Sequence, residues 1–72
     1  MTFMKRKNFV IECLKEKFPK WGSGTHEECL QMAIENIGED AINKFIDSNK
    51  KDDSVVQDSI LYVFQAIHAK MG

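Results

Sequence analysis

The sequence predicts an all-α fold, a single small domain covering residues 1–72 with about four helices in a bundle or an orthogonal array. Three observations predict it. Apolar residues recur at intervals of three and four along almost the whole chain, the spacing that lines one face of an α-helix. No segment alternates apolar and polar residues with period two for long enough to make a strand. The residues that break helices, Pro19, Gly22, Gly24 and Gly38, fall between the periodic stretches rather than inside them.

The first helix is expected from about Thr2 to Lys17. Phe3, Val10, Leu14 and Phe18 lie on one face, Ile11 widens it, and Pro19 stops the helix because the residue before a proline is biased away from helical geometry. Lys20-Trp21-Gly22-Ser23-Gly24 reads as a loop. Thr25 is expected to open the second helix through a capping box with Glu28. Leu30, Ala33, Ile34 and Ile37 form its apolar stripe, and Gly38 sits where a left-handed C-cap belongs. Glu39 and Asp40 start a short third helix, where the helix dipole favours negative charge. Ala41, Ile42, Phe45 and Ile46 are its buried side. Ser48 to Asp53 reads as a polar connector, and Ser54 with Gln57 as a second capping box. In the last helix Val56, Ile60, Val63, Phe64, Ile67 and Met71 keep helical spacing. Val55, Leu61 and Tyr62 broaden that stripe, which predicts a central helix touched on more than one side.

Composition narrows the classes of function. The 72 residues are 43% hydrophobic, 29% charged and 10% aromatic, with a formal net charge of −1. This is a globular composition, without the bias of collagen-like or low-complexity chains. A core this small gives marginal stability unless a partner adds to it. No apolar run reaches the roughly 18–20 residues a bilayer span needs, so no membrane partner is expected. The basic start of the chain, Met1 to Lys7, lacks the apolar stretch of a secretory signal. Two cysteines, Cys13 and Cys29, are too few for a disulfide scaffold and read as free thiols of a reducing, cytoplasmic setting, with a single Cys13–Cys29 bridge as the alternative. With His26 and His68 they make four potential zinc ligands on paper, but without the paired spacing such sites use. No metal or cofactor is expected.

Charge is unevenly distributed. Residues 1–20 hold six Lys and Arg against two Glu, whereas residues 21–72 hold four Lys against nine acids. The simplest reading is a basic helix packed on an acidic body. A second is that Lys5, Arg6, Lys7, Lys15, Lys17 and Lys20 touch nucleic-acid phosphates. Gly22-Ser23-Gly24 before a helix would add backbone amides to such a surface. Against it stand Glu27 and Glu28 beside that loop and the acidic remainder of the chain. A helix-turn-helix drawn over residues 30–49 would lead its recognition helix with Glu39 and Asp40, which oppose phosphate. Asp47 to Asp58 has the length of a calcium-binding loop, yet Lys51 stands where a ligand belongs and Asp52 where the turn glycine belongs.

No Ser/His/Asp or Cys/His constellation is visible, and His68 reads as a residue of a helix C-terminus. The sequence therefore points to a non-catalytic protein–protein interaction module, a regulator, adaptor or inhibitor. Phe18, Trp21, Leu61 and Tyr62 are the candidate partner-binding residues, and homodimerisation is one way to bury the apolar excess of the last helix. Nucleic-acid binding through the six basic residues and the Gly22–Gly24 loop is the alternative.

Overall fold

The computed structural model describes the backbone of residues 3–71 and the side chains of residues 6–71. Within them the chain forms four helices and no strand: α1 (Phe3–Lys17), α2 (Thr25–Ile37), α3 (Glu39–Lys51) and α4 (Ser54–Met71). The all-α expectation is met. α1 and α4 each pack on both α2 and α3, while their own backbones do not approach each other. The middle pair of helices thus forms the spine of the fold. α4 is not the central helix its broad apolar content predicts: among the described helices it packs only on α2 and α3, and Val55 and Tyr62, which broaden its stripe, are exposed.

The core draws on every helix. Val10 and Leu14 come from α1, Cys29, Leu30 and Ala33 from α2, Ile42, Phe45 and Ile46 from α3, and Ile60, Phe64 and Ile67 from α4. Phe45 and Phe64 meet edge to face, with ring centroids 6.0 Å apart and planes at 80°. That arrangement sets a ring edge against the electron-rich face of the other ring. Each of these fully buried side chains contributes about 1.5–3 kcal/mol by leaving water.

Three local expectations shift. Neither expected capping box forms, and both caps lie one residue earlier. Thr25 and Ser54 are already helical, and an N-cap must lie outside the helix. Gly24, at φ 81°, is the cap of α2, with Glu28 N–H donating to its carbonyl at 3.2 Å and no side-chain cap bond. Asp53 serves α4, its Oδ1 accepting from Val56 N–H at 3.3 Å. The polar connector is shorter than expected, because α3 runs on to Lys51. Ser48 and Asn49 both donate their side chains to the Phe45 carbonyl, at 2.6 and 2.9 Å, and so satisfy themselves within the helix. The Ser48 carbonyl then gathers the amides of Asp52 and Asp53 and the side-chain amide of Gln57. Between Asp47 and Asp58 only Asp52 and Asp53 lie outside a helix, so no twelve-residue loop exists there.

Gly38 alone separates α2 from α3. Its N–H closes α2 on the Ile34 carbonyl at 2.9 Å, and its φ of 84° with ψ of 167° turns the chain straight into α3. The expected C-cap is there, but in extended rather than left-handed α geometry. That region of backbone space is essentially reserved for glycine.

Candidate functional site

The buried polar side chains find partners within the chain. Among the described residues no buried side-chain nitrogen or oxygen lacks a hydrogen-bond partner. Nor do three or more His, Cys, Asp or Glu gather as a metal site would require. The two thiols are free. Cys29 is wholly buried and donates to the Phe64 carbonyl at 3.3 Å, and burial pushes its pKa up to about 11. Cys13 is half-buried beside Glu16 and Glu12. Desolvation, then the nearby Glu16 carboxylate, raises its pKa as well. A thiol held protonated in this way is a poor nucleophile.

Of the partner-binding candidates, Phe18 and Trp21 come together at one end of the molecule. Their rings stack with centroids 4.4 Å apart and planes at 4°. Trp21 also stacks on His68 of α4 at 4.1 Å and 4°, and leans on His26 of α2 at 5.3 Å and 28°. His26, only 6% exposed, has Nε2 at 2.8 Å from the Phe18 carbonyl. A carbonyl only accepts, so Nε2 carries the proton and donates. Trp21 therefore ties the α1–α2 loop to the end of α4. Both Phe18 and Trp21 are half-buried against the core, so the indole acts mainly as a clasp.

Leu61 and Tyr62 are neighbours in sequence but about 100° apart around the helix. Leu61 is half-buried and lines a cleft of about 240 Å³ with Cys13, Phe45, Asn49 and Gln57. Tyr62 points outward, 72% exposed, and Val55, one heptad before it, is 74% exposed. The widened stripe of α4 is thus not all core. Its Ile60, Phe64 and Ile67 turn inward, while Val55 and Tyr62 lie on the opposite side. The four candidates therefore fall in three places: Phe18 and Trp21 form a clasp, Leu61 lines a cleft, and Tyr62 alone lies on an open helix face.

The open face is more regular than its two large residues suggest. Val55, Ser59, Tyr62, Ala66 and Ala69 are all exposed and follow one another at intervals of four, three, four and three. This is the a/d spacing of a helix–helix seam, and it holds no charged residue. Asp58 and Gln65 flank it on one side, and Val56, Val63 and Lys70 on the other. Sequence reasoning singled out Tyr62 alone. The signal for Ser59, Ala66 and Ala69 was a second seven-residue period offset from the core period of the same helix.

The described basic residues of the first twenty positions divide between two places, Arg6 and Lys7 against α3 and α2 and Lys15, Lys17 and Lys20 near the Phe18–Trp21 end. Arg6 donates to Asn43 Oδ1 of α3 at 2.7 Å, and Lys7 reaches Gln31 Oε1 of α2 at 3.5 Å. The side chain of Lys5 lies outside the described residues. Lys15 lines one cleft with Trp21, His26, Glu27 and the Gly22–Gly24 turn, and Lys17 and Lys20 flank Phe18 and Trp21 in a shallower hollow. No protein-family model matches the chain, and neither curated proteins nor solved structures give a match. Among the described residues no helix is long and apolar enough to cross a membrane.

Proposed function

We propose that this chain is a non-catalytic helical interaction module whose contact surface is the outer face of α4. The observation that carries the reading is the exposure of Val55 and Tyr62, at 74% and 72%, on a single uncharged seam. Isolated exposed apolar residues are ordinary, but two large ones in register along a charge-free helix face are what a docking helix offers. Leu61, Phe18 and Trp21 serve the module from beneath, by holding α4 and the α1–α2 loop in place. The raised pKa values of both thiols make them poor nucleophiles, which supports a role in contact rather than in thiol chemistry.

Site-specific photo-crosslinking in cells of the source tests this. A benzophenone side chain at Val55 or Tyr62 is expected to trap a defined protein band, and the same group at exposed Lys44 on α3 is not. Equal trapping at all three positions, or none at the α4 positions, would refute the reading.

One observation favours a second reading, polyanion binding: Lys15, Lys17 and Lys20 surround the Phe18–Trp21 end of the molecule. Opposing it, the Trp21 ring is already stacked on Phe18 and His68, which competes with base stacking. Glu27 also shares the cleft at the start of α2. Titration with single-stranded DNA and RNA at about 50 mM salt, where phosphate contacts are strongest, decides it.

A further inference from the structure

The α4 seam also indicates what covers it. From its pattern we infer that the occupant is a second copy of the same chain, with the two α4 helices antiparallel across a two-fold axis. This inference rests on the α4 face being the contact surface.

Over the first four positions of the seam large and small residues alternate, Val55, Ser59, Tyr62, Ala66, and Ala69 follows as a second small residue. An antiparallel two-fold that sets Val55 opposite Ala66 of the second copy automatically sets Tyr62 opposite its Ser59, and the symmetry repeats both pairs. Every large side chain then faces a small one, and the layers are evenly filled. A parallel pair would instead set Tyr62 on Tyr62 and Ser59 on Ser59, with bulges and gaps in alternation.

The flanks agree with the same register. It brings Asp58 beside Gln65 of the second copy, a carboxylate and an amide donor. It brings Val56 beside Val63, which extends the apolar seam with two residues that are only half-buried in the single chain. The end of each α4 runs past the start of the other, which carries exposed Lys70 to the level of the opposite Asp52–Asp53 turn. Opposed helix dipoles add to this, whereas parallel pairing would abut the two acidic turns and the two Lys70 side chains.

A seam of four layers on one helix is small beside the roughly 800 Å² per partner of a standard interface. The dimer is therefore weak and exchanging, and its test must reach high concentration. Sedimentation equilibrium from about 10 µM to about 1 mM, the range a small interface requires, is expected to show the mass rising from one chain toward two. Tyr62→Lys places a charge in the centre of the seam and is expected to weaken association at least tenfold. Because Tyr62 is exposed in the single chain, its melting at low concentration should stay unchanged.

Orientation is read by disulfide trapping in a Cys13→Ala background, with Cys29 shielded by burial. A mixture of Val55→Cys and Ala66→Cys chains is expected to cross-link, and Val55→Cys alone is not. A mass of one chain at every concentration, a dimer indifferent to Tyr62→Lys, or preferential Val55→Cys self-linking would each overturn the inference. If the chain stays monomeric while benzophenone at Tyr62 traps a different protein, the second-copy inference falls and the α4 contact surface stands.

Discussion

Replacing Gly38 by alanine isolates one physical term of this fold. Gly38 sits at φ 84° and ψ 167°, where an L side chain is strained by its own backbone. A Cβ built there meets nothing within 4 Å, so no tertiary clash contributes. Strain at such a position costs about 1–3 kcal/mol. The smaller conformational freedom of alanine in the unfolded chain returns about 0.4–1 kcal/mol. The net loss is on the order of 1–2 kcal/mol, and for a domain of this size each kcal/mol lowers Tm by about 4–8 °C. Thermal unfolding followed by circular dichroism at 222 nm measures it. Gly22→Ala is the control. Its backbone is not in the positive-φ region, and its Cβ would meet only Thr25 Oγ1 at 3.4 Å, so its Tm should move little. If Gly38→Ala melts at or above the parent while keeping its helical signal, the α2–α3 corner does not require glycine, and the account of how α2 passes into α3 without a loop is wrong.

Other perturbations probe the core, the thiols and the clasp. Phe64→Ala removes a fully buried ring and its edge-to-face contact with Phe45, at a cost of about 3–5 kcal/mol. In a domain this small that should abolish cooperative unfolding at 25 °C, while Phe64→Leu should retain it. Cys29 has its pKa raised from 9.0 to about 11 by burial, so the folded chain holds that proton more tightly than the unfolded chain. The stability this gives is complete below pH 9 and is lost as pH rises from 9 through 11. Urea titrations across that interval should therefore show a steeper alkaline decline for the parent than for Cys29→Ala. His68→Ala removes the ring stacked on Trp21 and should cost about 0.5–1.5 kcal/mol. Its tryptophan emission should shift to longer wavelength and become more accessible to acrylamide; unchanged emission would refute the clasp.

The helices were legible because their periods are set locally. What was not legible depended on partners distant in sequence. Ser48 and Asn49 look like loop residues, and only their bonds to the Phe45 carbonyl and the burial of Ser48 show why α3 continues through them. No spacing rule links Trp21 to His68, forty-seven residues away, because their stacking follows from how α4 lies against the α1–α2 loop. The α4 seam is a different case. Phe64 is about 200° around the helix from Tyr62, so the two cannot share a face, and that arithmetic was available from the sequence. Counting apolar residues into one broad stripe concealed a helix with two faces.

The inferred pairing through the outer face of α4 would couple stability to concentration. The inner face of α4 supplies Ile60, Phe64 and Ile67 to the core, so the helix that would pair is also one that holds the fold together. Anything that binds the folded chain but not the unfolded one stabilises the fold by mass action. Raising the concentration well above the dissociation constant should therefore raise Tm, and the effect is easiest to see in a weakened background. Gly38→Ala supplies one, because the α2–α3 corner is remote in sequence from the seam and carries no part of it. The Tm of Gly38→Ala should climb with concentration between about 10 µM and about 1 mM, whereas that of Gly38→Ala with Tyr62→Lys should stay flat. Parallel slopes for the two would mean that Tyr62 lies outside any self-association surface, and the outer face of α4 would have to be read as exposed for another partner.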